Sequence, residues 1–150
     1  MRILVDADAC PVKEEVVRVA ERHGIEAIFV SNAWMRLPES ALVKRVGVEA
    51  GMDAADNWIA EQATAQDVII TNDIPLAARG VAKGAKILRP NGKPLDQNSI
   101  GMAVAVRDLN THLRDLGEIT GGPAGFQKQD RSRFLEALET AIQAIKRQSY

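Results

Sequence analysis

Short apolar runs alternate with stretches of helical period along most of the chain. Ile3 to Val5 is an apolar run closed by Asp6, and the next segment, Val12 to His23, places Val12, Val16, Val19, Ala20 and His23 on one helical face before Gly24 stops it. Ile25 to Val30 reads as a second strand, rich in β-branched residues, and Val43 to Val48 as a third after a polar, proline-containing loop. A helix is expected from about Asp53 to Thr64. Val68 to Thr71 is nearly all apolar, as a central strand covered on both faces should be. Asp73 to Val81 then predicts a short helix and Ala85 to Leu88 a fifth strand, ended by Arg89 and Pro90. A further helix carries Met102, Val106, Leu109, Leu113 and Leu116 at helical spacing, and a last one carries Phe134, Leu138, Ile142 and Ile145. Strands alternating with helices imply crossover connections. The expectation is an α/β three-layer sandwich with a mostly parallel five-stranded sheet.

Size and charge limit what such a sheet can serve. With 150 residues and 46% apolar content the chain can bury one substantial core, so a single domain over 1–150 is expected; the cluster Gly121, Gly122, Pro123, Ala124, Gly125 is a breaker within it. The 19 basic and 20 acidic residues give a net charge of -1, which offers no general attraction to nucleic acid or membrane. A polyanion would need a local basic patch or bound metal. One cysteine excludes an internal disulfide framework, the amino terminus lacks the pattern of a signal peptide, and no run approaches the roughly 20 apolar residues of a membrane helix. A soluble, cytoplasmic protein is expected.

The aspartates change the picture most. Asp6 and Asp8 follow the first strand, Asp53 and Asp56 open the middle helix, and Asp73 follows Thr71 and Asn72 at the end of the central strand. Carboxylates at the carboxyl ends of parallel strands gather along one edge of the sheet, where they can hold a hard cation such as Mg2+ or Mn2+. Each has a plainer reading: Asp8 as a cap for the helix at Pro11, and Asp53 and Asp56 as first-turn acids complementing a helix dipole. Asp6 directly ends an apolar strand, where an unpartnered carboxylate is costly. Cys10 is read as a small packed residue, and His23 and His112 as surface or edge residues.

Candidate substrate contacts lie on either side of these motifs. Lys128, Arg131 and Arg133 stand at the entry to the last helix, where the dipole disfavours cations, so an anion would suit them; the alternative is a solvated turn capped by Asp130. Trp34 and Arg36 combine an aromatic and a cation suited to a stacked base and a phosphate, against the alternative that Trp34 packs back on the domain or against another subunit. Asn72 stands beside Asp73 and could meet the same ligand. Any homo-oligomer contact is expected at the Trp34 loop or the last helix.

Asp6 after the first strand, Asp56 followed by Asn57-Trp58-Ile59-Ala60, and Ile70-Thr71-Asn72-Asp73 resemble the ordered acidic motifs of PIN-domain nucleases. The strings DADACPVK, GMDAADNWIAE, ITNDIPLA and GGPAGFQKQDRSRF further resemble the uncharacterised bacterial YaiI/YqxD family, regarded as PIN-like. The resemblance implies a PIN-like parallel sheet flanked by helices, one or two Mg2+ or Mn2+ ions, and hydrolysis of a phosphodiester, with single-stranded RNA favoured. It matches Asp6, Asp56 and Asp73 to three acidic positions. A fourth does not transfer cleanly, with Glu49, Asp53 and Asp8 as candidates. Two other readings stay open: a non-catalytic PIN-like module that binds RNA or protein, and a haloacid-dehalogenase-like phosphatase suggested by Asp6 and Asp8 with Ser31. The latter fold inserts a turn and hairpin where Pro11 here starts a helix almost at once.

Overall fold

The computed structural model describes residues 1–49, 53–115 and 126–148. These form one mixed sheet of six strands with five α-helices. In chain order they are β1 (Arg2–Asp6), α1 (Lys13–His23), β2 (Glu26–Ser31), β3 (Val43–Gly47), α2 (Ala54–Gln62), β4 (Val68–Ile70), α3 (Ile74–Ala82), β5 (Lys86–Leu88), β6 (Pro94–Leu95), α4 (Ile100–Asp115) and α5 (Lys128–Gln148). The strand order is β3-β2-β1-β4-β5-β6; β1 to β5 pair in parallel, and β6 runs antiparallel to β5. The sheet therefore has one strand more than the predicted five. Strand β6 is two residues long and begins with a proline, which lacks the ladder donor and is tolerated at such an edge.

Both faces of the sheet are covered, which explains the continuous apolar runs. Ile3, Val5, Phe29 and Ile70 join α1 and α5 in one core, while Leu4, Ile28, Val30, Ile69 and Ile87 join α2 and α3 in the other. Helix α5 enters the first core through Phe134, Leu138, Ala141, Ile142 and Ile145. Helix α4 packs against α3 with Ile100, Ala103 and Val104 partly buried in the second core, so its stripe of Met102, Val106 and Leu109 faces outward. Leu116 and Gly121 to Gly125 lie outside the described residues.

Polar contacts lock α1 to α5. His23, expected at the surface or an edge, has a side chain only 7% exposed: its Nε2 meets Glu139 Oε2, and Lys146 Nζ lies 2.8 Å from its Nδ1. Arg131 Nη1 donates to Glu15 Oε1 at 2.8 Å and to the Pro11 carbonyl at 2.9 Å, with its guanidinium 5.0 Å from the Phe126 ring centroid. At the amino end of the sheet Asp67, 1% exposed, accepts from Arg2 and from the amide and hydroxyl of Thr64.

Two glycines separate backbone conformation from space. Gly24 ends α1 in the left-handed region at φ 66°, and a Cβ there would meet nothing within 4 Å. Gly92, in the turn between β5 and β6 at φ 88°, lies so close to α5 that a Cβ would stand 2.7 Å from the Arg133 carbonyl carbon and 2.9 Å from the Phe134 nitrogen. Gly24→Ala is expected to cost about 1 to 2 kcal/mol, the left-handed penalty alone. Gly92→Ala should cost clearly more, because the backbone of α5 must also move. Urea midpoints of the two variants check the order, and equal losses would contradict it.

Candidate active site

The sheet order reverses between β1 and β4. From β1 the chain runs outward through β2 and β3, then returns to start β4 on the other side of β1. Open parallel sheets leave a crevice beyond the carboxyl ends of the strands at such a switch point. Asp6 is the last residue of β1, and Thr71, Asn72 and Asp73 follow β4, so the register that sets Val5 beside Ile70 brings these groups together. Thr71 Oγ1 donates to Asp6 Oδ2 at 2.9 Å and accepts from the Asp73 amide at 2.9 Å. Asp73 is the N-cap of α3, accepting from the Leu76 amide at 2.9 Å.

Helix α2 supplies the next carboxyl from its first turn. Burial first, then the charges of Asp73 and Asp6, the neighbouring Asp73 carboxyl and the charge of Asp53 push the Asp56 carboxyl up to about 7. Asp6 is raised as well, chiefly by burial, with Asp73 and Asp8 adding to the rise and the Thr71 hydrogen bond opposing it. Asp53 precedes α2 with φ 68°, the one described non-glycine residue at positive φ, and its side chain makes no capping bond. Among the described residues no cation or N–H donor bonds Asp56. Arg79 is turned to Asn57 Oδ1 at 2.7 Å instead, and Arg89 Nε to Asn72 Oδ1 at 3.3 Å.

Asp8 joins this edge differently. It sits in the 3-10 turn Ala7–Ala9 and does not cap α1; both its oxygens accept from the Asn32 amide, at 3.3 and 3.2 Å. Val12 occupies the N-cap of α1 with no side-chain bond. Glu49 is exposed beyond the end of β3. No group of three or more His, Cys, Asp or Glu side chains among the described residues stands as a ready-made metal cage.

The expected substrate contacts fare unevenly. Arg131 spends its Nη1 on Glu15 and the Pro11 carbonyl, while its side chain is 47% exposed. Lys128 and Arg133 are exposed at the start of α5; Arg133 lies 3.8 Å from Asp130, which accepts from the Gln127 amide. Arg133 also lines an open groove of ≈ 970 Å³ between α5 and the β5–β6 hairpin, together with Arg89 and Lys93. Trp34 does not pack back on the domain and is 76% exposed; Arg36 is exposed two residues on. Cys10 is buried as expected, and burial raises its thiol to about 11, far from a reactive thiolate. The sequence reading did not use Arg89 as a site residue, although it follows β5 as Asn72 and Asp73 follow β4.

Comparison with known proteins finds relatives that match along nearly the whole chain. The family model described as "Uncharacterized BCR, YaiI/YqxD family" matches residues 4–144. A UPF0178 protein of Nitrobacter winogradskyi is 55% identical over 147 residues, covering 98% of this chain and 94% of that protein. One of Parvibaculum lavamentivorans is 58% identical over 145 residues (97% and 95%), and one of Gluconobacter oxydans 53% over 148 residues (99% and 85%). No solved structure matches the chain significantly.

The raised Asp56 carboxyl has a consequence for stability. Its folded pKa of about 7 exceeds the ordinary 3.8, so the native state binds the extra proton in that window and stability falls as pH rises from about 3.8 through about 7. Asp56→Asn removes the penalty and keeps a donor for Asp73. The variant should melt above wild type at pH 8, with the difference shrinking towards pH 4. A wild type that is the more stable protein at pH 8 would refute the raised Asp56 carboxyl.

Proposed function

Because the chain belongs to the YaiI/YqxD family, whose description names no activity, we propose from the site itself that it is a metal-dependent hydrolase of phosphodiesters, with RNA the favoured substrate. One observation carries the reading. Asp6, Asp56 and Asp73 lie at the switch point of the sheet, where burial first and then their mutual charge raise the carboxyls of Asp6 and Asp56, the latter to about 7. Hard oxygen donors of this kind suit Mg2+ or Mn2+, and a bound cation would offset the charge that burial makes costly at Asp56. The order of the three carboxylates along the chain also agrees with the PIN-like resemblance.

In this reading Asp6, Asp56 and Asp73 hold the metal, one or two ions, with Asp8 and Asp53 behind them. When bound, the ion supplies acidification of a water and neutralisation of charge on the scissile phosphate. The chain's own groups do the positioning. Thr71 fixes Asp6, and the α3 cap fixes Asp73, so neither carboxylate is free to swing away. Asp8 restrains the start of the loop after β2. Arg89, steered by Asn72, brings a cation to the rim where a phosphate would need one.

Metal binding and catalysis are tested separately. At pH 8, Mn2+ at a hundredfold excess over its Kd should raise the melting temperature by about 5 °C or more. Asp56→Asn and Asp73→Asn should abolish the rise, and acidification to pH 6 should weaken it as protons compete. Cleavage of single-stranded RNA with Mn2+ should be lost in Asp6→Asn. No thermal shift in wild type, or equal cleavage by wild type and Asp6→Asn, would overturn the proposal.

A further inference from the structure

The carboxyl edge of the sheet also carries an aromatic that neither core uses. Trp34 is 76% exposed, yet its loop is tied down on every side. Ser31 Oγ donates to the Ala33 carbonyl at 2.7 Å, the Asn32 amide donates to Asp8, and Arg45 Nη2 donates to the Met35 carbonyl at 2.6 Å. The Arg45 guanidinium then lies 5.1 Å from the Trp34 ring centroid. An indole presents a large apolar surface, and leaving it in water forgoes the stabilisation that burial would bring. Here it stands outward, with a cation beside its ring.

We propose that Trp34 and Arg45 form a subsite for single-stranded nucleic acid, with a base stacked on the indole and a phosphate on the guanidinium, feeding the strand across the acidic site. The chemistry of the patch selects this ligand. A protein partner would want an apolar surround, whereas Asn32, Arg36 and Arg45 around Trp34 are polar or cationic and exposed. Stacking accepts any base, and the guanidinium adds both charge and a cation–π contact. Duplex bases are hidden from such a ring. With a net charge of -1, the chain has no overall field to hold a polyanion, so affinity must come from local contacts of this kind.

The sheet order sets the path. The Trp34 loop follows β2, Asp6 ends β1, Asp73 follows β4 and Arg89 follows β5, and these strands are consecutive neighbours. At about 4.8 Å per strand the crossing spans about 14 Å. A strand laid along it meets a stacking ring and cation first, the carboxylates next, and Arg89 last. The direction of this path rests on the hydrolase reading; the stacking subsite does not.

The test uses the full chain with a chelator present, so that binding is read without cleavage. Fluorescence anisotropy of labelled oligouridylate and oligothymidylate gives the affinities, and indole quenching in a Trp58→Phe background reports contact with Trp34. Trp34→Ala should weaken binding by about tenfold, Trp34→Phe should restore most of it, and Arg45→Ala should weaken binding and flatten its salt dependence. Binding of either oligonucleotide that is lost with Trp34→Ala supports the stacking subsite. Unchanged affinity in Trp34→Ala, equal binding of a duplex, or no binding of either strand would overturn the proposal. A protein that binds in this way but shows neither metal response nor cleavage would overturn the hydrolase reading alone.

Discussion

The hydrogen bond from Thr71 to Asp6 joins the ends of the two strands between which the sheet changes direction. It depends on parallel pairing: only when β1 and β4 run the same way do their last residues meet, with the chain leaving both at the same edge. The Thr71 hydroxyl also receives the Asp73 amide, so the start of α3 is fixed to the end of β1. Helix α2 then has one place to deliver Asp56. The acidic site follows from topology first and from side-chain choice second.

The two ends of the sheet show opposite treatments of a carboxylate. Asp67 at the amino end is almost fully buried and saturated with donors from Arg2 and Thr64, an arrangement that holds β1 to β4. At the carboxyl end Asp56 meets another acid. Nearby arginines exist but are bound to Asn57 and Asn72. The asparagines that hold them are the neighbours of Asp56 and Asp73 in the chain. An acid with its donors beside it is satisfied where it stands, and Asp67 is of that kind.

Much of this frame was legible in the sequence because it is local. Apolar runs gave the covered strands, Gly24 the end of α1, and the position of each aspartate after a strand or at a helix start gave the shared edge. Contacts between distant residues were not legible. The pairing of Arg131 with Glu15, 116 positions away, leaves no local pattern, nor does that of Asp8, read as a cap or a metal ligand, with the Asn32 amide. The helical spacing of Met102, Val106 and Leu109 was real but carried no sign of which face packs; Ile100, Ala103 and Val104 do. Strand β6 was too short for any period to show.

The long span between α1 and α5 bears on how the chain is made. Phe134, Leu138, Ile142 and Ile145 cover the face of the sheet built from Ile3, Val5 and Phe29, and the contacts of His23 reach forward 116 and 123 positions. On a ribosome the first strands and helices emerge well before the segment that closes over them. Until then one side of the nascent sheet is an open apolar surface, and the early strands cannot reach their final stability. The amino-terminal half therefore waits for the carboxyl-terminal helix, and a chain released before it is complete would expose the surface most prone to self-association.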